Sequence, residues 1–146
     1  MMHVFPRTFA AARREIVPGI ALPPLTPAAY LRLCREAAGL TIRETAAMMA
    51  RTSAEVWPAL DLISVLETPG ARARYRASLE RLRTVFAFDV DVYYQLADEP
   101  ADRHPRICRS CGCSDWDARD EGGEPCAWST DASCTRCIGA ALERAQ

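Results

Sequence analysis

Lysine is absent from this chain, and all eighteen basic residues are arginine. A GC-rich coding bias accounts for that choice, while arginine keeps its capacity for bidentate contacts to phosphate or guanine. Long apolar runs are missing too. Charge or proline interrupts each one well before the roughly eighteen residues that a bilayer span needs, which excludes a transmembrane helix. Arg7, Arg13 and Arg14 near the start are not followed by an uninterrupted apolar stretch, so the pattern is not that of a secretion signal. Internal repeats and low-complexity tracts are absent as well. No nucleophile–base pair and no phosphate-binding loop can be picked out, so an enzyme is not expected.

What remains is an ordinary globular composition, 49% hydrophobic and 25% charged over 146 residues, enough for one small helical domain and a smaller satellite. The net charge of −1 hides an alternation of blocks. Residues 1–50 and 69–86 are basic, whereas 51–68, 87–104 and 105–146 are acidic. A polyanion could be met locally but not by the chain as a whole. Seven cysteines without an export signal point to a reducing, cytoplasmic setting, where paired cysteines usually mean metal.

The chain divides into four pieces. Residues 1–25 carry Val17-Pro18-Gly19 and Leu22-Pro23-Pro24-Leu25, a density of proline that favours an extended arm. Residues 26–97 read as a set of helices, and 98–107 as a charged, proline-bearing linker. Residues 108–146 form a cysteine-rich module.

Within the helical piece, Thr26-Pro27 is a start signal and Gly39 a stop, with Leu31, Cys34 and Ala38 forming an apolar stripe. Cys34 on that stripe reads as a core residue. Thr41-Ile42-Arg43-Glu44 matches a capping box and opens a second helix to about Ala50, with Ala46 and Met49 inward. A third helix is expected over Pro58–Glu67, with Leu60, Ile63 and Leu66 inward, and Thr68-Pro69-Gly70 ends it. A fourth is expected from about Ala71 to Phe86, with Tyr75, Leu79 and Leu82 at helical spacing. A short fifth begins after Asp89.

In the tail, Cys108-Arg109-Ser110-Cys111-Gly112 has the form of a zinc knuckle, two thiols on a tight turn followed by a glycine free to take positive φ. Cys134-Thr135-Arg136-Cys137 repeats the spacing after twenty-two intervening residues, enough for one hairpin to bring the pairs together. The module has little large apolar material beyond Trp116, Trp128 and Ile138, and structural zinc, contributing about 10–16 kcal/mol, would supply what packing cannot. The expected ligands are Cys108, Cys111, Cys134 and Cys137, which fill all four positions and leave none for a catalytic water. An iron–sulfur cluster and metal-free thiols are the alternatives. Cys113 and Cys126 are left over; they could pair, exchange with the ligands, join a second site, sense redox state or stay free. His104 could be an alternate ligand or a solvated linker residue.

Leu31-Arg32-Leu33-Cys34-Arg35-Glu36-Ala37-Ala38-Gly39-Leu40-Thr41 resembles the opening of the Cro/CI repressor-like helix-turn-helix family of bacteria and phages. Ile63-Ser64-Val65-Leu66-Glu67 resembles the close of that family's recognition helix, and the likeness spans about residues 27–97. It implies a mainly α, repressor-like helical bundle whose third helix enters the major groove of double-stranded DNA. Phosphate contacts would come from Thr41, Arg43 and Arg51, supplemented by Arg72, Arg76 and Arg83. The sequence departs from the pattern in three ways. Arg51–Trp57 looks like an insertion, Ile42 stands where a polar residue is usual, and Ala54–Glu67 holds Glu55, Asp61 and Glu67 but no arginine. Arg76, Glu80 and Arg83 also share a helical face and can pair among themselves. Two functions are therefore expected. One is a DNA-binding transcriptional regulator whose structural zinc module mediates dimer or partner contact. The other is a non-DNA-binding interaction adaptor, such as a phage or mobile-element accessory protein.

Overall fold

The computed structural model describes residues 22–115, 128–130 and 132–137. The described chain is mainly helical: α1 (Pro27–Ala37), α2 (Ile42–Met49), α3 (Val56–Leu66), α4 (Arg76–Arg83) and α5 (Val90–Asp98). Short 3-10 turns occupy Ser53–Glu55 and Ala101–Arg103, and two small strands, β1 (Trp128–Thr130) and β2 (Ser133–Cys134), pair antiparallel. Among the described residues, no helix is long and apolar enough to cross a membrane. Of the expected N-terminal arm, residues 1–21 lie outside the described residues.

Local signals explain most helix ends. The Thr26 hydroxyl accepts from the Ala29 amide at 3.1 Å, and Pro27 occupies the first turn, where its missing N–H costs nothing. Gly39 takes a left-handed φ of 74°, which lets the Leu40 amide donate back to the Arg35 carbonyl and close the helix. Thr41 and Glu44 then form both halves of the capping box, at 3.1 and 2.8 Å. The Asp89 carboxylate accepts from the amides of Asp91 and Val92 and starts α5.

Two helices differ from the expectation. Within Arg51–Trp57, the 3-10 turn Ser53–Glu55 runs straight into α3, and the Arg51 amide donates to Glu55 at 2.7 Å. The helix therefore begins at Val56, and Pro58 falls in its first turn, where no intrahelical donor is needed. The fourth helix begins five residues later than expected, at Arg76 rather than Ala71. The reason is tertiary. Buried Tyr93 takes the Ala73 amide at 2.8 Å, and Tyr94 donates to the Ala73 carbonyl at 3.3 Å, so this backbone is committed elsewhere. Tyr75, expected inward, is 62% exposed as a result.

The core is formed by Tyr30, Leu31, Ile63, Leu79, Leu82, Val90, Val92 and Tyr93, with α1 and α4 against α5 and α2 against α3. Tyr30 also accepts the Asp89 amide at 3.0 Å, so both buried tyrosines satisfy a backbone donor. The segment 98–107 makes contact with the helices at its end. Pro105 and Ile107 are buried, Ile107 within the helical core, and Gln95 donates to the Arg103 carbonyl at 2.7 Å.

One charged pair crosses this core. Arg35 on α1 grips Glu67, just past α3, through two bonds of 2.6 and 2.9 Å, and also donates to the Leu40 carbonyl. Both side chains are buried. The carboxylate's hydrogen bonds hold the Arg35 guanidinium above its ordinary pKa, against the opposing pull of burial. Removing one partner leaves the other charge buried and alone, which typically costs about 3–5 kcal/mol. Arg35→Ala is thus expected to lower stability to urea by that amount. Joint Arg35→Met and Glu67→Leu should cost far less, and an equal loss in the double variant would show that the pairing itself is not what matters.

Candidate metal centre

Two small hairpins bring the cysteines together. In the first, Ile107 and Ser114 bridge antiparallel, the Cys108 amide donates to the Cys113 carbonyl at 2.8 Å, and the Gly112 amide donates to the Cys108 carbonyl at 2.9 Å. Gly112 sits at a φ of 76°, the conformation that reverses the chain behind Cys111. The second is β1–β2, with Trp128 opposite Cys134, followed by a helical turn that carries Cys137. The Arg109 amide donates to the Ala132 carbonyl at 2.9 Å and fastens one hairpin to the other.

The sulfurs of Cys108, Cys111, Cys113 and Cys134 all lie within 4.8 Å of one another, so these four could hold a metal ion. The Cys111 and Cys134 sulfurs are 3.7 Å apart, and a tetrahedron built on metal–sulfur bonds of about 2.3 Å has edges of roughly 3.8 Å. Soft thiolates at this spacing suit one small ion. Cys137 packs against the same group beside Trp128.

Of the expected ligands, Cys108, Cys111 and Cys134 lie in this group, Cys137 packs against it, and Cys113 joins it. In sequence Cys113 stood apart as a leftover thiol. The signal for it was the hairpin, in which Cys113 lies opposite Cys108 and projects to the same face. Cys126 lies outside the described residues. His104 is elsewhere occupied, its ring Nε2 donating to the Glu99 carbonyl at 2.8 Å, and it is not in the cluster.

Electrostatics divide the thiols. Burial pushes Cys113, Cys111 and Cys137 up. Burial acts the same way on Cys134, but hydrogen bonds from the Cys137 backbone and from the thiols of Cys137, Cys108 and Cys111 outweigh it and bring this thiol down to about 6. A cation would displace the remaining protons and take over the role of those hydrogen bonds.

Comparison with protein-family models, curated proteins and solved structures finds no match to this chain.

The centre is fitted to the helical domain. An atom added at the Cβ position of Gly112 would lie 2.5 Å from the Cys34 sulfur of α1, closer than real side chains approach. The Cys34 thiol points at the Gly112 carbonyl, 4.0 Å away, and Arg109 donates to the Pro23 carbonyl at 2.9 Å. Cys34, expected in the helical core, is buried there and also forms the seat of the first hairpin.

The arginines singled out for phosphate contact are placed less favourably. Arg72 pairs with Asp98 through two bonds of 2.7 Å and lies over the Tyr94 ring. Arg76 meets Asp91 at 2.8 Å and Glu80 at 3.6 Å, and Arg83 meets Glu80 at 2.9 Å. The Thr41 hydroxyl and amide are both engaged with Glu44, whose carboxylate occupies the start of α2. Arg43 and Arg51 are exposed.

Two outcomes follow. Protein purified without chelator should carry about one metal ion per chain by mass spectrometry, lost in Cys108→Ser and Cys134→Ser; a folded, metal-free chain would contradict the site. Gly112→Ala should lower stability by more than the ~1–2 kcal/mol that a positive φ alone costs a side chain. Cys34→Ala in the same chain should return part of the loss. No coupling between the two substitutions in denaturant titrations would mean that the hairpin does not seat on α1 this way.

Proposed function

We propose that this protein is a non-catalytic interaction adaptor, a repressor-like helical domain clamped to a structural zinc module, which binds a protein partner through the outer face of α3. The observation that carries this reading is the character of that face. Trp57 is 71% and Val65 60% exposed, with exposed Pro58 and Asp61 at helical spacing between them. A solvent-facing tryptophan beside one acid suits a protein surface; it has no cation with which to meet a phosphate. The paired arginines of the basic block at 69–86 point the same way, since Arg72, Arg76 and Arg83 each face an acid within the fold. Zinc fits the centre because four thiolates close its coordination sphere, stabilise the fold and leave no position for a reacting water.

The resemblance to repressor-like proteins keeps a second reading, a DNA-binding regulator. What favours it is the pair Arg43 and Arg51, exposed on α2 and just beyond its end. Those two cations would approach a duplex together with the start of α2, after Glu44 had moved aside.

The readings separate on two measurements. Fluorescence anisotropy with duplex DNA, including the gene's own upstream region, should show no specific binding even at low salt. A photo-crosslinking residue at Trp57 should capture a defined protein in the native host, and the same probe at Arg81 should not. Steeply salt-dependent duplex binding that disappears in Arg43→Ala and Arg51→Ala would replace the adaptor by the regulator.

A further inference from the structure

More thiols surround the centre than one tetrahedral ion can use. Cys108, Cys111, Cys113, Cys134 and Cys137 form one packed group with Trp128. The spacing of paired cysteines in sequence selects Cys108, Cys111, Cys134 and Cys137. The folded chain selects differently. We infer that the metal is held by Cys108, Cys111, Cys113 and Cys134, and that Cys137 is a fifth thiol at the edge of the sphere, placed to replace a ligand during metal exchange. This holds whichever partner the helical surface takes.

Three observations support the assignment. First, the four sulfurs of Cys108, Cys111, Cys113 and Cys134 satisfy a mutual separation of 4.8 Å or less. Second, Cys113 is fully buried at 0% exposure, as are Cys108 and Cys134, while Cys111 and Cys137 are both partly exposed. Third, the positions of Cys108 and Cys113 are coupled by backbone. The Cys108 amide donates to the Cys113 carbonyl at 2.8 Å beside the Ile107–Ser114 bridge, so the two side chains share a hairpin face. Gly112 between Cys111 and Cys113 is held against Cys34, which fixes this three-thiol arc to α1. Cys137 instead rides on the helical turn directly after β2, with its thiol in hydrogen-bond reach of Cys134, Cys111 and Cys108, close enough to take a ligand's place.

Exchange through Cys137 is balanced. One metal–sulfur bond forms from its sulfur as another breaks, and the proton that Cys137 gives up is taken by the departing thiolate. No oxidant or reductant takes part.

The test uses the full chain loaded with cobalt(II), whose visible spectrum reports the number of thiolates around a tetrahedral ion. Changes outside the coordination shell commonly cost up to about 100-fold in affinity. Cys137→Ser should stay within that range and keep the four-thiolate spectrum. Cys113→Ser should lose more than about 100-fold and show a weakened, blue-shifted spectrum. Zinc transfer to a colorimetric chelator should be slower in Cys137→Ser than in the unaltered chain. Failure of a variant to fold does not remove the test, because limited alkylation of the unaltered, zinc-loaded protein asks the same question. Peptide mapping should then find Cys137 modified with the ion retained, and Cys113 protected. A four-thiolate spectrum kept by Cys113→Ser and lost by Cys137→Ser, or alkylation of Cys113 before Cys137, would overturn the assignment. Equal retention by both variants would do so too, as would an unchanged transfer rate in Cys137→Ser.

Discussion

Several buried sulfurs in one small volume impose the constraint on which the C-terminal cysteine module of this protein depends. Sulfur atoms this close cannot all carry charge without a cation among them, because burial penalises each thiolate and every neighbour adds repulsion. Hydrogen bonds from the Cys137 backbone and the adjacent thiols favour charge at Cys134. A metal ion would resolve the conflict more completely, making several thiolates favourable at once and tying together two hairpins that, among the described residues, share little apolar surface beyond Trp128.

That local solution extends to the helices because the first hairpin is not an appendage. Ile107, one residue before the first thiol, is part of the helical core, and Gly112, one residue after the second, rests on Cys34 of α1. The ligand-bearing turn is thereby held at both ends by the helical domain. Its position is set by packing, whether or not an ion is bound. α1 is also the helix whose Arg35 anchors Glu67 at the end of α3, so it touches both the metal module and the helix with the exposed Trp57 and Val65.

Surface electrostatics bear on function in a similar way. A basic block at 69–86 suggests a polyanion when the chain is read in one dimension, and the acidic block at 87–104 follows it directly. Folding lays α4 and α5 side by side, and the arginines of the first block meet acids of the second: Arg72 with Asp98 and Arg76 with Asp91. Exposed pairs of this kind contribute little stability, but they reduce the local positive field on which phosphate attraction depends.

Helix starts and stops were legible in the sequence wherever a side chain within a few residues supplies the missing hydrogen bond, as Thr26, Thr41 with Glu44, and Asp89 do. The gathering of Cys108, Cys111, Cys134 and Cys137 was legible for a related reason, since two-residue spacing is itself a local geometry. Tertiary structure decided what depends on distant partners. Tyr93 and Tyr94 claim the backbone at Ala73 and delay α4, and the hairpin opposite Cys108 turns Cys113 from a leftover into a member of the cluster. The sequence alone determined the menu of helices and the thiols available. Only the fold decided which arginines stay uncompensated and which sulfurs share one centre, because those answers require knowing what lies beside each residue in space.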